Sequence, residues 1–137
     1  MYDLMIIGSG PAGISAALTA KARNLNFIWF GSRALSTKIE KAEKIMNYPG
    51  LPAVTGSEMQ SVFLKQIDDC GITITESQVN SIYDCGGYFA AGADNEIYEA
   101  KAVIMTVGMT TTREIEGEAR LLGCGVSSVS YTHLRAH

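Results

Sequence analysis

The stretch MIIGSGPAGISAAL, Met5 to Leu18, decides how this chain folds. An apolar run stops at Gly8, glycines recur at positions 10 and 13, and an alanine-rich segment opens at Pro11. A strand that turns into a helix through Gly-x-Gly-x-x-Gly has a defined physical use. Gly8 permits the tight turn, Gly10 has no side chain to keep a pyrophosphate off the backbone, and Gly13 lets helix and strand pack closely. The free N–H groups and the positive end of the helix dipole then face the phosphate. Glycines also occur in ordinary turns. The motif therefore gains weight only from a strand before it, a helix after it and a second strand beyond.

That context is present. Asp3 to Ile7 (DLMII) reads as a short strand. Pro11 to Arg23 reads as a helix, with proline in its first turn and Ala12, Ala16, Ala17 and Ala20 forming a slim packing face. Asn24 to Asn26 make the turn, and Phe27 to Phe30 (FIWF) is a second, wholly apolar strand of the kind buried in parallel sheets. Together they form a βαβ unit, whose crossover is expected to be right-handed. One element of the dinucleotide fingerprint is missing. An Asp or Glu about twenty residues on would bond the ribose, but the second strand runs into Gly31, Ser32 and Arg33. Such a loop still offers backbone N–H groups and a hydroxyl. Arg33 reads either as a phosphate partner or as an ordinary surface arginine.

Further along, Lys38 to Lys44 is expected to be a solvated turn or short helix, and Asn47 to Pro52 (NYPGLP) is stiffened by two prolines. Thr55 and Glu58 have capping-box spacing. Behind them Met59, Val62, Phe63, Gln66, Ile67 and Cys70 fall on one helical face that ends at Gly71. Ile72 to Thr75 (ITIT) reads as a strand. VNSIYD, YFAAG and EIYEA, between Gln78 and Ala100, are broken by Gly86-Gly87 and Asp94-Asn95 and read as a three-stranded antiparallel meander. Ala102 to Val107 (AVIMTV) returns to the buried-strand pattern and stops at Gly108. The fold class is thus α/β: a Rossmann-like parallel sheet with an inserted three-stranded antiparallel meander, incomplete at its end.

Composition narrows the function. The chain has 137 residues, 47% apolar and 18% charged, with a net charge of -3. That is a globular composition without the basic surplus of a nucleic-acid binder. No apolar run reaches the ~20 residues of a membrane span, and no basic leader precedes the first strand. A cytoplasmic protein is expected, with neither nucleic acid nor membrane as partner. Cys70, Cys85 and Cys124 include no Cys-x-x-Cys pair, so neither a zinc site nor a disulfide framework is supported, and small buried residues are expected there. No metal site and no catalytic residue is assigned. NAD and FAD share the glycine loop, but a meander placed before a strand ending in Thr-x-Gly is the pattern of FAD-binding domains of the disulfide-reductase kind.

Four motifs in order carry a closer likeness: GSGPAGISAAL (Gly8 to Leu18), MNYPGLP (Met46 to Pro52), TVG (Thr106 to Gly108) and EGEARLLGCGVS (Glu116 to Ser127). In them the chain resembles the low-molecular-weight thioredoxin reductases, over residues 2 to 127. The resemblance implies an FAD pyrophosphate held by Gly8, Ser9, Gly10, Pro11, Ala12 and Gly13, and an adenosine ribose beside Gly31 and Ser32. It also implies an isoalloxazine contact from Asn47, against the plainer reading of Asn47 as turn chemistry before a proline. Val79 would meet the adenine through its backbone, and Gly108 would let the chain pass close to the flavin. For the whole protein it implies electrons passing from NADPH or NADH through FAD to a thioredoxin-like protein disulfide, and a homodimer. The chain departs from the family after its second strand, where ALSTKIEKAEKI replaces the usual Gly-Gly-Gln/Leu. That departure favours a relative with another electron donor, such as ferredoxin.

The family's Gly-Val-Ser leads into a redox Cys-x-x-Cys, but here Ser127 is followed by SVSYTHLRAH. The last nine residues, Val129 to His137, look like a translated transposase-end sequencing adapter. Residues 1–128 are therefore expected to be the N-terminal part of an FAD-binding domain, and residues 129–137 a non-native tail. His133 and His137 lie in that tail and receive no role. This part alone is expected to be inactive. Two other readings remain. One is a ferredoxin/flavodoxin reductase-like or ferredoxin-dependent flavoenzyme of the same fold. The other is a non-catalytic flavin-binding module.

Overall fold

The computed structural model describes residues 1–109. The motif from Glu116 to Ser127, Cys124, and the expected tail with His133 and His137 lie outside the described residues. The elements run β1 (Tyr2–Ile7), α1 (Pro11–Ala22), β2 (Phe27–Phe30), α2 (Thr37–Glu40), α3 (Gly56–Asp69), β3 (Val79–Asp84), β4 (Phe89–Ala93) and β5 (Glu96–Met105). The strand–loop–helix–strand reading is borne out: β1 gives way to α1 across Gly8–Gly10, Pro11 opens the helix, and β2 lies parallel to β1 with Ile6 opposite Trp29. The βαβ unit forms because β1 and β2 are apolar on both faces and each face meets a separate core.

All five strands form one sheet in the order β2-β1-β5-β4-β3. β1 pairs parallel with both β2 and β5, while β5, β4 and β3 pair antiparallel. On the helix side Leu4, Ile6 and Trp29 pack with Ile14, Ala17 and Ala20 of α1 and with Met59, Phe63 and Ile67 of α3. On the other side Met5, Ile7, Ile28 and Phe30 pack with Ala91, Ala93 and Ala100 of the meander. Phe30 and Tyr98 meet edge to face at 5.1 Å between ring centroids, so the meander curls back under the parallel strands.

Several expectations are corrected. EIYEA and AVIMTV are not two strands but one, β5, because nothing between Ala100 and Ala102 breaks the chain. Only Lys101 separates them, and its Nζ donates to Asp3 Oδ1 at 2.8 Å, tying β5 to the start of β1. The end of β5 is not buried: Ile104 is 39% and Met105 61% exposed. The segment Ile72 to Thr75 joins the sheet only at Thr75, by a bridge to Phe30, while Ile72 and Ile74 plug the helix-side core. On α1 the buried face is Gly13, Ile14, Ala17 and Ala20, and Ala12 is exposed in the first turn. Cys70 and Cys85 are exposed, because Cys70 caps the end of α3 and Cys85 sits in the β3–β4 turn.

α3 begins as expected. Thr55 Oγ1 accepts the Glu58 N–H at 3.2 Å, and Glu58 Oε2 accepts the Thr55 N–H at 2.8 Å. Its buried stripe is narrower than the periodicity suggests: Met59, Phe63 and Ile67 line up four residues apart, while Val62, Gln66 and Cys70 face outward. Gln60 is buried instead, because its Oε1 accepts the Ser36 N–H at 2.9 Å and so satisfies the loop before α2. Truncating Ile67, which is fully buried, to alanine is expected to cost about 2–5 kcal/mol. Val62→Ala, on the same helix but 45% exposed, is expected to cost less than about 1 kcal/mol. Urea unfolding of the two variants checks the contrast.

Candidate functional site

The glycine loop is fixed by backbone groups that leave no room for side chains. Gly8 has φ +114, and a Cβ there would lie 2.3 Å from the Thr106 carbonyl oxygen. A Cβ on Gly13 would lie 1.9 Å from the Gly8 carbonyl oxygen. The Gly8 carbonyl therefore lies directly beneath the first turn of α1. Trp29 Nε1 donates to it at 2.8 Å, and Thr106 Oγ1 stands 2.9 Å from Ile7 O and 3.2 Å from Gly8 O. Gly10 is different: nothing stands within 4 Å of where its Cβ would be. Two of the three motif glycines are thus required by the protein's own packing, and the third borders open space.

The first turn of α1 is also open to a ligand. The first helical bond runs from Ile14 N to Gly10 O at 3.0 Å, and Gly10 caps the helix without a side chain. Pro11 has no N–H, and the N–H groups of Ala12 and Gly13 have no partner among the described residues. Donors at a helix start with no acceptor suit an anion.

Ser9 ties this loop to the end of β2. It is buried; its Oγ donates to Leu35 O at 3.0 Å and accepts the Ser32 N–H at 3.0 Å. Gly31 packs against it so closely that a Cβ there would lie 2.5 Å from Ser9 Cβ. Gly8, Ser9, Gly13, Gly31 and Ser32 are therefore brought into one contiguous cluster. Arg33 takes its surface role: its guanidinium forms a bidentate pair with Asp68, Nη1 to Oδ1 at 3.0 Å and Nη2 to Oδ2 at 2.9 Å. The hydrogen bond and charge of Arg33 hold the Asp68 carboxyl below the usual carboxylate range, and Asp68 in turn raises Arg33. A lowered folded pKa places this pair's contribution to stability above the unfolded value and removes it as pH falls through the folded one. Both groups are exposed, so solvent screens the effect.

The other expected residues stand apart from the loop. Asn47 is exposed, just before a turn in which Leu51 N bonds Tyr48 O at 3.1 Å and Gly50 takes φ +83. Proline followed by a left-handed glycine is the sequence of a type II turn. Tyr48 packs edge to face on Phe63 at 5.4 Å. An open cleft of about 230 Å³, lined by Ile14, Leu18, Tyr48, Pro49 and Phe63, separates this turn from α1. Val79 opens β3, half-buried against the meander-side core. Gly108 is exposed at φ +67, two residues beyond Thr106, with open space at its Cβ position. No hydrogen bond joins Asn47, Val79 or Gly108 to the glycine loop among the described residues.

Sequence reasoning missed two residues that shape the loop. A tryptophan buried in a strand needs an acceptor for its indole N–H, and that requirement points to Trp29. Thr106 stood inside a quoted motif, but its hydroxyl shows its use only once β5 lies beside β1. No group of three or more His, Cys, Asp or Glu side chains suited to a metal occurs among the described residues. No described helix is long and apolar enough to cross a membrane.

No family model matches the chain. It is similar to the thioredoxin reductase of Bacillus subtilis, 29% identical over 93% of this chain and 40% of that protein. It is also similar to the bifunctional thioredoxin reductase/thioredoxin of Mycobacterium leprae, 33% identical over 93% of this chain and 29% of that protein. Among solved structures, a ferredoxin-flavin thioredoxin reductase from Clostridium acetobutylicum superposes with a TM-score of 0.79 at 45% identity, over 90% of this chain and 43% of that one. The chain spans less than half the length of each of these relatives.

Replacing Gly13 by alanine is expected to unfold the loop or lower stability by more than about 3 kcal/mol, since the added carbon meets a backbone oxygen that cannot yield. Gly10→Ala is expected to cost no more than about 1 kcal/mol, the difference between the two residues as helix caps. Thermal melts of the two single variants read the difference directly.

Proposed function

This chain is homologous to the thioredoxin reductases over 93% of its length, and from that premise we propose that it forms the FAD cradle of a flavin-dependent disulfide oxidoreductase. The observation that carries the reading is the open position at Gly10 beside the unpartnered N–H groups of Ala12 and Gly13. A pyrophosphate fits there: it would accept from those donors and from the positive end of α1. Ser9, Pro11 and Gly8 keep the loop's shape. Gly31 and Ser32 border the adenosine ribose, Val79 the adenine, and Asn47 and Gly108 the isoalloxazine ring. Bound FAD would supply the two-electron transfer from the electron donor to a cysteine pair, redox chemistry that no residue of this cradle provides.

On this reading the chain's own residues bind and orient, and none is a catalytic residue. The sequence contains no Cys-x-x-Cys; on this reading a thiol pair and an NAD(P)H site would be supplied by the whole protein. We assign residues 1–128 to the N-terminal part of an FAD-binding domain and residues 129–137 to a non-native tail. The whole protein would be a cytoplasmic homodimer that takes electrons from NADPH or NADH and reduces a thioredoxin-like protein. A second reading differs only in the electron donor. The Clostridium relative is named for ferredoxin, and it is 45% identical where the Bacillus and Mycobacterium relatives are 29% and 33%. Ferredoxin in place of NAD(P)H fits that likeness and the divergent segment after β2.

The full chain mixed with excess FAD and desalted is expected to stay yellow and to release FAD, not FMN, on denaturation. Gly10→Val is expected to keep the fold yet weaken FAD binding about 10-fold or more, because its side chain projects where the pyrophosphate must approach, at a cost of about 1.4 kcal/mol or more. A colourless wild-type chain that carries no adenine nucleotide would sink the assignment.

A further inference from the structure

Dinucleotide folds place a ribose-binding carboxylate at the end of the second strand, and this chain has none there in sequence. The packing explains why. Position 31 is the natural place, but a Cβ on residue 31 would lie 2.5 Å from Ser9 Cβ and 2.7 Å from Ser9 Oγ. An acid at 31 would dislodge the loop. A carboxylate reaches the same strand end from another segment. Thr75 N donates to Trp29 O at 2.7 Å and Gly31 N donates to Thr75 O at 3.1 Å, which sets the following residue, Glu76, beside the β2 loop. Glu76 Oε1 accepts the Arg33 N–H at 2.8 Å. The Arg33 guanidinium itself is committed to Asp68. Glu76 is exposed, and its second oxygen has no hydrogen bond or ion pair among the described residues.

We infer that Glu76 is the ribose-binding residue of this chain. Its Oε2 accepts a hydrogen bond from the 2′-hydroxyl of an adenosine diphosphate whose pyrophosphate lies on the loop from Gly8 to Gly13. The inference rests on the FAD reading above and adds to it a residue outside the glycine motif and the strand it feeds. It also sets the ligand class: an adenosine with a free 2′-hydroxyl is accepted, and a 2′-phosphate is repelled by the carboxylate. If Glu76 did no more than hold the Arg33 N–H, its loss would change stability and leave ligand discrimination untouched.

The test titrates the full chain calorimetrically with ADP and with 2′-deoxy-ADP. Wild type is expected to bind ADP about 10-fold more tightly, the worth of one hydrogen bond to a charged acceptor. Glu76→Ala is expected to bind the two nucleotides equally. Glu76→Gln keeps an oxygen for the Arg33 N–H but puts an amide NH2, a donor only, where Oε2 stood; the 2′-hydroxyl then accepts a neutral bond instead of donating a charge-assisted one, and the preference is expected to fall to about 3-fold. Melting curves establish that each variant is folded. Equal wild-type affinities would overturn the inference, as would a full 10-fold preference in folded Glu76→Ala. If the alanine variant does not fold, an undiminished preference in Glu76→Gln does the same. In those cases ADP binding itself still supports the FAD reading. A wild-type chain that binds neither ADP nor FAD removes both.

Discussion

The carbonyl of Gly8 is held under the first turn of α1, with the Trp29 indole and the Thr106 hydroxyl beside it. Much of the fold follows from this placement. A backbone oxygen removed from water needs donors, and these two come from β2 and from the end of β5. The loop's packing therefore draws on three strands, β1, β2 and β5. The oxygen also sets how near α1 can lie to the sheet, which is why residue 13 has no side chain. A helix seated this low brings its first N–H groups level with the C-terminal ends of the strands, where ligands of open α/β sheets bind.

β5 makes that alignment possible. Its first half pairs antiparallel with β4 and its second half parallel with β1. One strand thus serves the meander layer and the parallel layer. Ala100, at the changeover, is fully buried, and two residues before it Tyr98 packs against Phe30. Asp3 is paired with Lys101 beside the changeover, and that pairing lowers the Asp3 carboxyl. The register that delivers Thr106 to Gly8 is set by Ile7 opposite Met105 and reinforced by the Thr106 N–H to Ile7 O bond at 2.7 Å.

The sequence showed clearly what local chemistry controls. β2 and β3 fall at their expected residues, α1 starts at its proline, and α3 starts at its capping box, because each boundary is marked by a residue with few alternatives. What was not legible depends on contacts distant in the chain. Nothing local shows that Lys101 lets a strand continue rather than end. Nothing local shows that Gln60 is buried while Val62 is not, since Gln60 is paid for by an N–H twenty-four positions away. The site divides in the same way. Gly8, Gly10 and Gly13 were plain from spacing, whereas Trp29 and Thr106 acquire their roles only when separate strands meet.

Spacing alone also treats the three glycines as equals, and the structure does not. Gly8 and Gly13 are excluded from carrying side chains by the chain's own oxygens, so a protein with no ligand at all would still need them. Only Gly10 is bare without an internal reason. A glycine that packing does not require, placed at the start of a helix where donors stand without acceptors, is the part of the motif that points outward to a ligand. The functional weight of Gly-x-Gly-x-x-Gly here therefore rests on its middle member, and the outer two report how the loop is built.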